Sequence, residues 1–147
     1  MNMEDVKQLM KEVGWGFLGT TDGKTVGVRP MGGWAWMEDE LWCASMKSTD
    51  KISQLQTVNY AEYCFCTKEA KHVRIGGHCK ISSDDDEKLR LYNANPILKD
   101  HIDDPASSDY VVIKLIPDRI RMMEATDLTY KEIELPREYA IKLRYSN

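Results

Sequence analysis

One short segment gathers the groups that hold a phosphate. Ser45-Met46-Lys47-Ser48-Thr49-Asp50-Lys51 carries hydroxyls and two lysines at what reads as a strand-to-helix junction. The first amides of a helix have no intrahelical acceptor and sit at the positive end of its dipole, which suits an anion. Lys47 and Lys51 could neutralise a phosphate, and Ser45, Ser48 or Thr49 could donate hydrogen bonds to it. The plainer reading makes Ser48 or Thr49 a helix cap and leaves the lysines solvated. On these residues alone the plainer reading is ahead.

A second segment, Arg29-Pro30-Met31-Gly32-Gly33, lies in the middle of a strand-like stretch. Proline cannot donate to a sheet ladder, and two glycines bring no side chain to pack. Such a strand either bulges or lets a ligand lie against its backbone. Arg29 supplies a cation beside it. Both readings stay open here.

Other constellations carry less. Cys64, Cys66 and His78-Cys79 invite a metal reading. With Glu69-Ala70 as the centre of a tight turn, Cys64 would face Ile75 and Cys66 would face Val73. Cys79 would then lie near residue 60, too far from Cys64 for one ion at about 3.4 Å per residue. The thiols, Cys43 included, are expected to be buried packing groups. Trp34 and Trp36 share a strand face by alternation, with Trp42 nearby, and are expected to pack in a core or between subunits. A place beside a ligand stays open for them. The acidic run from Asp84 to Glu87 reads as a solvated helix start. His72, His78 and His101 are the only histidines, and none is near a candidate nucleophile in sequence. Chemistry would have to be a cofactor's, oriented and tuned by the protein.

These residues need elements to position them. Met3, Val6, Leu9, Met10 and Val13 recur at helical spacing, which predicts a helix over Glu4 to Val13 ended by Gly14. The period then changes. Trp15 to Thr21 reads as a strand closed by Asp22-Gly23, Thr25 to Met37 as a long second strand, and Glu40 to Ser45 as a third, together a meander. Ile52, Leu55 and Val58 predict a helix that Asn59 ends. Ala61 to Lys68 and His72 to Ser83 follow as paired strands. A helix runs from the aspartates to about Asn93, Pro96 stops it, and Ile97 to Ile102 reads as another short helical piece. Tyr110 to Ile116 is a strand broken at Pro117-Asp118 and resumed over Arg119 to Glu124. A further strand is expected near Tyr130 to Leu135, and a helix after Pro136. About six strands with few helices predict a closed antiparallel barrel decorated by helices.

Composition sets the frame. The 147 residues suit one domain, with a core over about residues 10–125 and an extension over 126–147. A hydrophobic share of 42% with 30% charged residues fits a soluble globular protein. The net charge of -4 argues against general nucleic-acid binding, which needs a basic face. No apolar run approaches the roughly 20 residues of a membrane span. The polar N-terminus does not read as a secretory signal, and four cysteines without a disulfide pattern point to reduced thiols in the cytoplasm.

Taken in order, the segments form a familiar set. Val28-Arg29-Pro30-Met31, a hairpin, Leu41-Trp42-Cys43-Ala44-Ser45, then Lys47 and Lys51 leading into Ile52-Ser53-Gln54-Leu55 and Asn59, resembles the pyridoxamine 5′-phosphate oxidase-like family of FMN-binding split barrels. The general stress protein branch is the most similar. The resemblance covers roughly Met10 to Glu124, with Pro117 and Ile120 in a stretch similar to the last barrel strand. It implies a mainly β fold: a six-stranded antiparallel split barrel with flanking helices. It implies a homodimer with FMN in two clefts between subunits. Carried over by position, Arg29, Met31 and Gly32 would line the flavin, and Ala44 and Ser45 would meet it. Lys47, Thr49 and Lys51 would hold the ribityl phosphate. Lys71 and His72 would approach the flavin from the partner subunit's strand. One departure stands beside the last lysine, where the family often has arginine and this chain has Asp50. No match is evident to the C-terminal substrate segment of true pyridoxamine 5′-phosphate oxidases, so that oxidation is not expected. The implied function is FMN-dependent oxidoreduction of a small-molecule electron donor or acceptor. The alternatives are a flavin-binding stress protein without turnover and a split barrel that binds haem or a deazaflavin.

Overall fold

The N-terminal helix α1 (Met3–Val13) opens with a capping box in which Asn2 and Asp5 satisfy each other's backbone amides. It closes on Gly14, whose amide still bonds the Met10 carbonyl and whose positive φ of 79° then turns the chain out of the helix. Its stripe of Val6, Leu9 and Met10 is buried against β5 and β6. The computed structural model describes residues 1–135, so the helix expected after Pro136 lies outside the described residues.

Eight strands follow among the described residues: β1 (Gly16–Thr21), β2 (Val26–Met31), β3 (Trp34–Met37), β4 (Glu40–Met46), β5 (Tyr60–Cys66), β6 (His72–Ser82), β7 (Tyr110–Glu124) and β8 (Asp127–Ile133). Helix α2 (Asp50–Thr57) joins β4 to β5, and α3 (Asp85–Ala94) with a 3-10 turn (Pro96–Asp100) joins β6 to β7. All pairs are antiparallel, in the order β2-β1-β5-β6-β7-β4-β3, with β8 added to β7. The two ends of that order, β2 and β3, are adjacent in sequence and joined by Gly32-Gly33 alone. The sheet must therefore curl until its ends meet, which makes a mainly β split barrel.

This corrects the expected strand plan. The stretch from Thr25 to Met37 is two strands, β2 paired with β1 and β3 paired with β4, so no three-stranded meander forms. Conversely, Tyr110–Glu124 is one strand despite Pro117. The ladder to β6 slips between Gly76 and Gly77, a bulge that leaves Asp118 without a ladder partner. Proline is tolerated at such a bulge because no ladder donor is asked of it.

Alternation sorts each strand into two layers. Leu18, Tyr63, Phe65, Ile75, Ile113 and Ile120 fill the barrel. On β4, Leu41 and Cys43 face that interior, while Trp42 faces a second cluster with Leu91, Leu98, Ile102, Tyr110 and Val112. That second cluster fastens α3 and the 3-10 turn to the outside of the barrel. A fully buried side chain of this size contributes about 1.5–3 kcal/mol.

The β5–β6 turn also differs by one residue from the expected register. Ala70 takes a positive φ of 71°, and Cys64 pairs with Arg74, Cys66 with His72. The two thiols on β5 therefore face outward, Cys64 half-buried and Cys66 exposed, where burial was expected. Cys43 and Cys79 are buried, and burial pushes the Cys43 thiol up to about 12.

Candidate functional site

The β4–α2 junction opens into a cleft of about 290 Å³. Six residues singled out in the sequence line it: Met31, Gly32, Ala44, Ser45, Thr49 and Lys51. Thr49 stands at the N-cap position of α2, yet its side chain makes no cap bond. Its hydroxyl donates instead to the Met46 carbonyl at 2.9 Å and lies 3.2 Å from the Ser45 hydroxyl. Lys51 Nζ donates to the same Thr49 oxygen at 3.2 Å. Buried Ile52 and Leu55 hold α2 on the barrel. Their burial, about 1.5–3 kcal/mol each, outweighs the ~1 kcal/mol of a missing cap. The cap hydroxyl is thus free to join a polar network inside the cleft.

Cations cluster there at a cost. Burial foremost, then the Arg29 guanidinium, pushes Lys51 below the ordinary lysine value, while Cys43 and Asp50 act the other way. Burial likewise lowers the Arg29 guanidinium, and Asp50 opposes it. Arg29 does not line the cleft. It reaches across β1, donating to the Thr20 hydroxyl at 2.6 Å and the Leu18 carbonyl at 3.1 Å, with Gln54 Oε1 at 3.4 Å. Asp50 is exposed and outside the cleft wall. Its carboxylate favours the charged forms of both cations. The set fits a phosphate once the hydroxyls turn: Ser45 and Thr49 both donate to the Met46 carbonyl, at 3.0 and 2.9 Å, and each must rotate to reach an anion. Beside them stand a half-buried ammonium, a second cation behind it, and a helix start without a side-chain cap.

The Gly32-Gly33 link has a packing reason on each side. A Cβ on Gly32 would stand 3.0 Å from three atoms of the Trp15 ring, so the indole lies against this backbone. A Cβ on Gly33 would meet Leu98 at 2.6 Å. Asn95 clamps the link by donating to the Gly32 and Trp34 carbonyls at 3.1 and 2.8 Å.

Three other residues singled out in the sequence stand elsewhere. Lys47 is exposed; its amide donates to the Asp109 carbonyl at 2.7 Å, and its side chain is not in the cleft wall. Lys71 sits just before β6, 3.5 Å from the Glu124 carboxylate. His72 contacts the Ala70 carbonyl at 2.8 Å and the Tyr130 hydroxyl at 2.7 Å. Within one chain, neither Lys71 nor His72 reaches the cleft.

The cleft also has a wall that sequence reasoning missed. Leu98, His101 and Ile102 close it from the 3-10 turn and the residues after it. His101 and Ile102 lie three and four residues beyond Leu98, and this spacing after Pro96 was the available signal for a turn with one face inward.

The comparisons with known proteins agree with this fold. The Clostridium acetobutylicum NimC/NimA family protein superposes with a TM-score of 0.77 at 19% identity, covering 91% of this chain and 92% of that one. General Stress Protein 26 from Bacillus anthracis gives 0.72 at 20% identity, covering 88% and 97%. A Clostridium acetobutylicum protein related to general stress protein 26 gives 0.71 at 16% identity, covering 90% and 94%. At these identities the likeness establishes the fold. No curated protein matches closely enough to count as a relative. The profile of the family described as pyridoxamine 5′-phosphate oxidase like matches residues 1–131. The chain belongs to the pyridoxamine 5′-phosphate oxidase-like family.

Proposed function

We propose that this chain binds FMN and acts as a flavin-dependent oxidoreductase on a small molecule. The observation that carries the reading is the Thr49 hydroxyl. It occupies a capping position without capping, and joins Ser45 and Lys51 in one cleft. In this reading Ser45, Thr49 and Lys51 bind the ribityl phosphate, with Arg29 adding charge from behind and Lys47 from the rim. Met31, Gly32 and Ala44 give the ring system a backbone surface. Leu98 and Ile102 keep water from that side. Bound FMN would supply hydride and electron transfer; the protein supplies position and field.

The reading includes a homodimer. Phe17, Val26 and Val28 are 50%, 76% and 65% exposed on the outer face of β1 and β2. An apolar row of this kind on a sheet favours a partner. Lys71 and His72 of the partner subunit would then approach the flavin. We place the single domain in the cytoplasm, in keeping with four free thiols and with no helix among the described residues long and apolar enough to cross a membrane.

The test is a paired titration with FMN and riboflavin, followed by flavin absorbance and fluorescence. One FMN per chain, bound at least tenfold more tightly than riboflavin, is the expected result. Equal affinity for the two would overturn the phosphate assignment. Native mass spectrometry that finds haem or a deazaflavin instead would replace FMN. Anaerobic reduction of bound flavin by reduced nicotinamide separates an enzyme from a flavin-binding protein without turnover.

A further inference from the structure

Next to the cofactor cleft lies a larger groove, of about 620 Å³, between the end of α1, β3 and the end of α3. The two cavities share a wall: Trp15 and Gly32 line both. Trp15 is 51% exposed, and its ring covers the Gly32 backbone. On the far side the groove is lined by Trp34 and Trp36, with Asn95 and Ile97 from the helical insertion.

The polar edges of these indoles are already used. Trp34 Nε1 donates to the Gly14 carbonyl at 2.8 Å, and Trp36 Nε1 contacts Met10 Sδ at 3.2 Å. What Trp34 and Trp36 offer a guest is therefore aromatic surface rather than free indole donors, which suits a flat apolar ring. The charge at its edge has one sign. Lys11 lines the groove, Lys7 Nζ stands 6.0 Å from the centre of the Trp36 ring, and no carboxylate is among the lining residues. In a chain with net charge -4, a groove whose one charged lining residue is a lysine has a local bias toward anions.

We propose that this groove is the site of a planar aromatic carboxylate, with its ring against Trp15, Trp34 and Trp36 and its carboxylate toward Lys11. The site itself stands on the groove; that its occupant is the molecule the flavin acts on rests on the function proposed above. Through the shared Trp15–Gly32 wall, the occupant would lie beside the surface assigned to the flavin ring.

The probe is 2-naphthoate, with 2-naphthylmethanol as its neutral counterpart, titrated calorimetrically into the whole protein with and without FMN. Saturable one-site binding of the acid, at least tenfold tighter than the alcohol, is expected. Lys11→Glu, a change at an exposed residue, should remove that preference and leave FMN affinity unchanged. Trp36→Leu should weaken both probes. No saturable binding, equal affinity for acid and alcohol, or a preference that survives Lys11→Glu would each overturn the proposal. If FMN fails to bind while the Lys11-dependent preference persists, the flavin reading falls and the groove site stands.

Discussion

Asn95 fixes Trp34 through its side-chain amide. Nδ2 donates to the Trp34 carbonyl at 2.8 Å and to the Gly32 carbonyl at 3.1 Å, while Oδ1 accepts from the Ile97 amide at 3.1 Å. One side chain thus ties the 3-10 turn to the link where the barrel passes from β2 to β3. Asn95→Ala should destabilise the protein by about 1–3 kcal/mol, since two carbonyls lose a donor. Asn95→Asp keeps the acceptor for Ile97 but turns a carboxylate toward two carbonyls, so it should cost more than alanine. Urea unfolding of the two variants gives the order; a milder aspartate variant would mean that the cap, not the clamp, matters.

Glycine-to-alanine changes should separate two kinds of close approach. A Cβ on Gly77 would lie far inside van der Waals contact of the Ile116 carbonyl oxygen, a backbone atom held by the β6–β7 ladder. A Cβ on Gly33 would clash only with the end of the Leu98 side chain, which can rotate away. Gly77→Ala is expected at or beyond the top of the ~1–3 kcal/mol range for overpacking, and Gly33→Ala near its bottom. Thermal unfolding of both, side by side, checks the ranking.

The phosphate segment was legible because its chemistry is local: hydroxyls and lysines within seven residues, at a strand-to-helix junction. The direction of Asp50 was not, since one residue of helical phase decides whether it faces in or out. The break between β2 and β3 was hidden for a different reason. Arg29 to Trp36 alternates like one strand, and what parts it is the indole of Trp15 on Gly32 and Leu98 on Gly33. Both contacts come from residues outside that segment. The strand through Pro117 was lost the same way, because its bulge depends on Gly77, forty positions earlier. Fold class could be read from strand count and turns; the closing of the barrel could not.

Lys51 should trade stability for binding. Its folded pKa lies below the ordinary 10.5, mainly through burial. The folded state therefore holds that proton less tightly than the unfolded state, and charged Lys51 opposes folding at pH 7. The opposition is relieved as pH rises from the lowered value toward 10.5, so stability contributed at this site increases across that window. Lys51→Met should raise the unfolding midpoint of the ligand-free protein at pH 7 and lose this pH dependence. The same variant should bind FMN roughly 10- to 100-fold more weakly, the loss expected for one charge-assisted contact. A variant that is less stable at pH 7 would show that the ammonium is better paired than its burial implies.

Val28 tests whether the cleft needs a second subunit. The β1–β2 register sets Phe17 opposite Pro30 and Gly19 opposite Val28, with Thr21 opposite Val26. Their side chains therefore form one outward row, and Val28 at 65% exposure is near its middle. Within one chain that side chain packs little, so Val28→Glu should leave the circular dichroism spectrum unchanged. Between two chains, a buried and unpaired carboxylate would be costly. Sedimentation should find the unaltered protein dimeric and the variant monomeric at the same concentration. FMN affinity should fall with dimerisation although Val28 is absent from the cleft wall, because the loss removes the partner's side of the site. A variant that stays dimeric with full FMN affinity would move the interface off this row. A monomer that keeps full affinity would show that Ser45, Thr49 and Lys51 of one chain suffice.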